Sequence, residues 1–98
     1  MIARVWRGAV RPEDAEEYAR YVDAHLEVAR TLPGNRAAYV LQRRDGNRVE
    51  IVTIILWDSL DDVRAFAGDD LERAVFFADD DRYLVERDET VTHYEVHP

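Results

Sequence analysis

Residues 51–59 read Ile51-Val52-Thr53-Ile54-Ile55-Leu56-Trp57-Asp58-Ser59. An apolar, largely β-branched run ends in one large aromatic, Trp57, and a helix-capping residue, Ser59, follows two positions later. A strand with one wet face alternates apolar and polar residues, so this run predicts a strand covered on both faces. A chain of 98 residues has little length of its own to supply both covers. A second subunit or an enclosed cavity is the expected source of the missing cover.

Before that strand, Asp45-Gly46-Asn47 predicts a hairpin turn, because Asp-Gly accepts the positive φ that tight hairpins need. The turn joins a strand over 37–44 to the strand over 49–57. Further upstream, Arg11-Pro12-Glu13-Asp14 predicts a helix start, with proline in the first turn and acids at the positive end of the dipole. Ala15, Tyr18, Val22, Leu26, Ala29 and Leu32 then step by three and four along one face of a helix over 12–32, with His25 at its edge. Leu32-Pro33-Gly34-Asn35 ends it. Ile2–Val10 predicts the first strand.

After Trp57, Ser59-Leu60-Asp61-Asp62 reads as a capping box with Asp in place of Glu. Leu60, Val63, Phe66 and Ala67 point inward until Gly68 stops the helix. Asp69 or Asp70 is expected to cap another short helix carrying Leu71, Ala74, Val75 and Ala78. Asp79-Asp80-Asp81 begins a further helical turn through Tyr83, Leu84 and Val85, and residues 90–96 form the last strand. The plan is βαββαβ: one ferredoxin-like α+β domain over residues 1–98, an antiparallel sheet with helices on one face. Trp6, Tyr39, Tyr94 and the 51–56 run supply more apolar surface than one helical layer covers. Two sheets packed face to face would bury it, which predicts a homodimer, a dimeric α+β barrel.

Composition narrows the partners. The hydrophobic fraction of 47% is ordinary and the charged fraction of 35% is high, as in a well-solvated globular domain. A net charge of −8 argues against nucleic acid and anionic membranes. Arg43, Arg44 and Arg48 flank the hairpin tip and are diluted by Asp45 and Glu50, a solubilising end. The absence of cysteine excludes disulfide and thiolate chemistry. The first residues lack a signal-peptide core, and no apolar run approaches the roughly 18 residues of a membrane span, so the cytoplasm is the expected location.

With these elements placed, the chain resembles the antibiotic-biosynthesis-monooxygenase family of dimeric α+β-barrel proteins over nearly its whole length. The resemblance rests on Leu32-Pro33-Gly34 before the second strand and Leu56-Trp57-Asp58-Ser59-Leu60 after the third. It also rests on Phe66 followed by a short helix, and on the closing Thr92-His93-Tyr94-Glu95-Val96. It implies a cofactor-independent monooxygenase that oxidises a small aromatic or polyketide-like substrate with O2. A non-catalytic, stress-associated binding module and a cyclase or isomerase are the alternatives on the same fold. The quinone-forming members match at Trp57. Their Asn four residues earlier is Thr53 here, and their Tyr six residues later is Val63. The haem-degrading members' Asn, Trp and His fall near Trp6, Phe66 and Phe76, none of which ligates iron, which argues against haem degradation.

Each candidate residue has two readings. Trp57 either walls and orients an aromatic ligand or caps the core. His93, between Thr92 and Tyr94, either takes a phenolic proton as catalytic base or sits at a dimer seam with a hydrogen bond. His25 either reaches the cavity from the opposite wall or lies half-exposed at the helix boundary. Tyr39, Phe66, Phe76, Phe77 and Tyr83 are the candidate walls of a substrate pocket, or ordinary core. The histidines are far apart and unpaired in spacing, so no metal site is expected, and the resemblance to the cofactor-independent members implies no cofactor. Asp79-Asp80-Asp81 lacks the ligand alternation and glycine of a calcium loop and reads as a solvated helix start.

Overall fold

The computed structural model describes residues 1–98. The strands are β1 (Ile2–Val10), β2 (Asn35–Asp45), β3 (Arg48–Trp57), β4 (Leu84–Arg87) and β5 (Thr92–Glu95). They form one antiparallel sheet in the order β2-β3-β1-β4, with β5 also on β1. β1 and β3 pair without interruption from Ile2↔Trp57 to Val10↔Val49. This is the ferredoxin-like arrangement with its fourth position divided. β4 lies against Gly8–Val10 and β5 against Ile2–Val5. The single last strand expected over 90–96 is therefore only the shorter β5. Leu84 and Val85, expected in a helical turn, are strand residues of β4.

The first helical region is a 3-10 turn (Pro12–Asp14), then α1 (Ala15–His25) and α2 (Glu27–Arg30), rather than one helix to Leu32. The break falls at Leu26. His25 Nδ1 lies 2.9 Å from the Tyr21 carbonyl, one turn before the break. Gly34 then turns the chain with φ +84, and a Cβ at that position would run into the Asp62 side chain. Its carbonyl accepts from Asp58 N–H at 2.8 Å, tying the Leu-Pro-Gly turn to the Trp-Asp-Ser junction. α3 (Leu60–Ala67) starts beside Ser59, whose hydroxyl donates to the Asp62 carboxylate at 3.0 Å and accepts no capping bond from a backbone N–H.

The short helix expected after Asp69 does not form. Residues 69–79 run as an irregular strap before α4 (Asp80–Tyr83). Its backbone has better partners elsewhere. Ala74 N–H donates to the Glu89 carbonyl at 2.9 Å, and Val91 N–H donates to the Glu72 carbonyl at 2.8 Å. Tertiary bonds thus override a helical apolar spacing.

The pleat divides the sheet into two faces. Toward the helices point Trp6, Val10, Ala38, Val49, Ile51, Ile55 and Trp57, all buried in the main core. On the other face, cross-strand rows run Tyr39–Ile54–Val5 and Ala37–Leu56–Ala3–Tyr94. That face stays open within one chain: Tyr39 and Tyr94 are each 55% exposed. Of the aromatics expected to overfill one layer, Trp6 belongs to the covered face and the two tyrosines to the open one.

Candidate functional site

Beneath the strap, between the sheet and α1, lies a cavity of ≈ 30 Å³, measured to the centre of a water. At ~10–15 Å³ per water centre it holds about two waters as it stands. β1 contributes Arg4 and Trp6, α1 contributes Tyr18 and Val22, β3 contributes Thr53 and Ile55, and α3 contributes Phe66. The strap adds Val75 and Phe77, and Asp80 begins the helix beyond it. The lining is mainly apolar, with a few convergent polar groups, the usual composition of a small-molecule site.

Two of those polar groups are buried charges. Arg4 is 3% exposed and has no carboxylate partner. Its Nη1 donates to the Leu71 carbonyl at 2.6 Å and its Nη2 to the Arg73 carbonyl at 2.8 Å. Burial pushes the guanidinium down to about 10, so it remains a cation at neutral pH. Opposite it in chemistry is Asp80, which accepts the Tyr18 hydroxyl at 3.0 Å and the Phe77 N–H at 2.6 Å. Burial first, then the Asp80 charge, pushes the Tyr18 phenol well above its ordinary value.

His93 faces the helix side of the sheet, paired with Arg4 across β5 and β1. Its Nε2 sits 3.2 Å from Arg4 Nη1. An arginine only donates, so this nitrogen accepts and the ring proton is on Nδ1. Burial, and then the Arg4 charge, lower the His93 pKa. The ring borders a surface groove with Leu60, Glu72 and Thr90, not the cavity.

The remaining candidates are dispersed. Trp57 is fully buried, its Nε1 has no partner, and it approaches the cavity only through Phe66, at 6.1 Å between ring centres. It is not a cavity wall, and it shares no cavity with His93. His25 packs between Tyr21 and Phe77, at 4.3 and 4.5 Å, so it stands behind the cavity wall formed by Phe77. Phe66 and Phe77 line the cavity. Tyr39 is on the open face, because its register partner Ile54 points away from the helices. Phe76 lies half-buried against the core, outside the cavity lining, where it meets Trp6 edge-on and the Arg87 guanidinium. Tyr83 packs in an aromatic cluster with Tyr18 and Tyr21.

Arg4, Tyr18, Thr53 and Asp80 were missed as site residues. Arg4 carried a readable signal: it shares its parity on β1 with Ile2, Trp6, Gly8 and Val10, an otherwise apolar or small set. Asp80 carried none, since Asp79 and Asp81 flank it identically. No group of three or more His, Cys, Asp or Glu is placed to hold a metal ion.

A split ferredoxin-like sheet, roofed by helices and an irregular strap over a polar-studded cavity, is a fold that carries many chemistries. The antibiotic biosynthesis monooxygenase family model matches residues 1–75, and the chain belongs to that family. None of the curated proteins compared with it matches. No helix is long and apolar enough to cross a membrane.

Proposed function

We propose that this protein binds a small, ring-bearing organic ligand in the cavity beneath the strap, and does so as a homodimer joined through its open sheet faces. The observation that carries the reading is the cavity itself. Aromatic walls from Trp6, Phe66 and Phe77 converge with Arg4, Thr53 and the Tyr18–Asp80 pair. Its size requires the strap to move for a ring to enter, since ligand pockets commonly span about 300–1,000 Å³. The strap is the part of the roof without regular secondary structure, so it is the element suited to that motion. The exposed Tyr39 and Tyr94, with the half-buried Ile54 and Leu56 beside them, support the dimer.

Family membership favours a second, catalytic reading: cofactor-independent oxidation of an aromatic or polyketide-like substrate by O2. That chemistry needs a phenol deprotonated to an electron-rich phenolate. His93 would be the base if a ligand displaced its contact with Arg4, and His25 if Phe77 moved aside. Trp57 would support Phe66 rather than touch substrate. The binding reading stands ahead, because neither histidine lines the cavity.

The test uses 1-naphthol and the two indole N–H signals of the protein. Ligand in the cavity shifts the Trp6 signal and leaves that of Trp57 nearly unmoved. Equal shifts, or none at saturating ligand, would defeat the binding reading. Oxygen uptake with the same ligand separates the two readings: binding without uptake leaves the first alone.

A further inference from the structure

We propose that Arg4 is the recognition residue for a carboxylate carried by the cavity's ligand, so that the ligand class is a small aromatic acid. This rests on the binding reading of the cavity. The chain has four arginines with no carboxylate within ion-pair distance: Arg4, Arg44, Arg73 and Arg82. The last three are exposed and have water as a partner, whereas Arg4 is buried. A buried cation without an anion is an expensive arrangement unless something completes it.

The donor inventory says which atoms remain for such a partner. A guanidinium offers five N–H donors. Three are engaged, by the Leu71 carbonyl, His93 Nε2 and the Arg73 carbonyl. The Nε–H and one Nη2–H have no protein acceptor. Those two nitrogens form the side of the fork that carboxylates bridge. The same chain uses that side elsewhere, where Arg11 Nε and Nη2 reach Asp14 Oδ2 at 3.1 and 2.9 Å.

The engaged donors set the fork's orientation beneath the closed strap, since two of them reach the strap carbonyls of Leu71 and Arg73. Phe66, with its ring centre 6.0 Å from Arg4 Cζ, offers a flat apolar surface beside the charge. Asp80 is satisfied by Tyr18 and Phe77, and its charge disfavours a second anionic group on the ligand. The geometry therefore suits one carboxylate on one small ring.

Benzoate and its near-isostere benzamide, titrated at pH 7 with the Trp6 indole signal as readout, test this. Benzoate is expected to bind the wild-type protein at least about tenfold more tightly, the difference a charge-assisted fork makes. Arg4→Lys keeps the charge but loses the fork, and should cut that ratio severalfold. Equal affinity of the two probes for wild type would overturn the role of Arg4 and leave the cavity reading standing. No Trp6 response to either probe would overturn both. The wild-type ratio decides even if the variant fails to fold.

Discussion

Arg4 Nη1 and His93 Nε2 face each other at 3.2 Å across the β1–β5 pair. Burial, and then the donor-only guanidinium, favour the neutral imidazole. His93 is lowered from 6.5 in the folded chain, so the unfolded state binds more protons between the two values. The stability from neutral His93 is complete above about pH 6.5 and is lost as pH falls through the lower, folded value. Melting temperatures from pH 7 down to 5 should fall further for wild type than for His93→Gln, which keeps an acceptor but cannot take the proton. Parallel curves would mean that the ring is not held this way.

Tyr18 and Asp80 give the opposite pH behaviour. The Tyr18 phenol is raised above 10, so its contribution is intact below that pH and lost as pH rises beyond it. Tyr18→Phe should cost about 1.5–3 kcal/mol at pH 7, the range for a hydrogen bond to a charged group. It should also flatten the alkaline limb of the stability curve. Urea unfolding at pH 7 and pH 10.5 measures both.

Trp57 is filler with an unsatisfied donor. Removing the ring by Trp57→Ala should cost about 3–5 kcal/mol. Trp57→Phe should cost much less, because it discards a buried N–H with no partner, a liability of roughly 1–3 kcal/mol, against the smaller volume lost. Denaturant midpoints of the two variants give the comparison, and equal losses would show that the indole nitrogen is not unpaired.

Gly8 makes room for a neighbour. A Cβ there would lie 2.6 Å from the Trp6 ring and 2.9 Å from Leu84. Gly8→Ala should cost about 1–3 kcal/mol through overpacking and displace Trp6, visible in its fluorescence maximum. An unchanged maximum with unchanged stability would mean that the ring shifts freely.

The open face yields a test of assembly. Ile54 sits between Tyr39 and Val5 in the central apolar row. Ile54→Glu should turn a sedimenting dimer into a monomer and leave the Trp6 response to ligand in place. A wild-type monomer at all concentrations would remove the dimer from the proposal.

Much of this architecture was legible because local and tertiary preferences agree. β1 and β3 follow from their apolar parity, and the hairpin follows from Asp45-Gly46. The strap was illegible for a physical reason. Leu71, Ala74, Val75 and Ala78 have helical spacing, but Glu72, Arg73 and Ala74 find partners in Glu89, Thr90 and Val91, a choice no local pattern encodes. The candidate site suffered likewise. Which way His93 points depends on its register against Arg4, and which acid of the 79–81 triplet is buried depends on Tyr18 and on Phe77 N–H. Phe66 and Phe77 were readable as wall candidates, while Tyr39 was misplaced because the side of β2 it occupies is set by pairing with Ile54.

The pleat of β1 also shapes how this protein can diverge. Arg4 and Trp6 touch the cavity, while Ala3 and Val5, their chain neighbours, touch only the outer face. Substitutions at even positions can retune one surface while odd positions are held constant, so two traits share nine residues without sharing mutations. A single-residue deletion between Ile2 and Arg7 has no such freedom: it would exchange both sets at once. Point changes in this strand are therefore separable in their effects, and length changes are not.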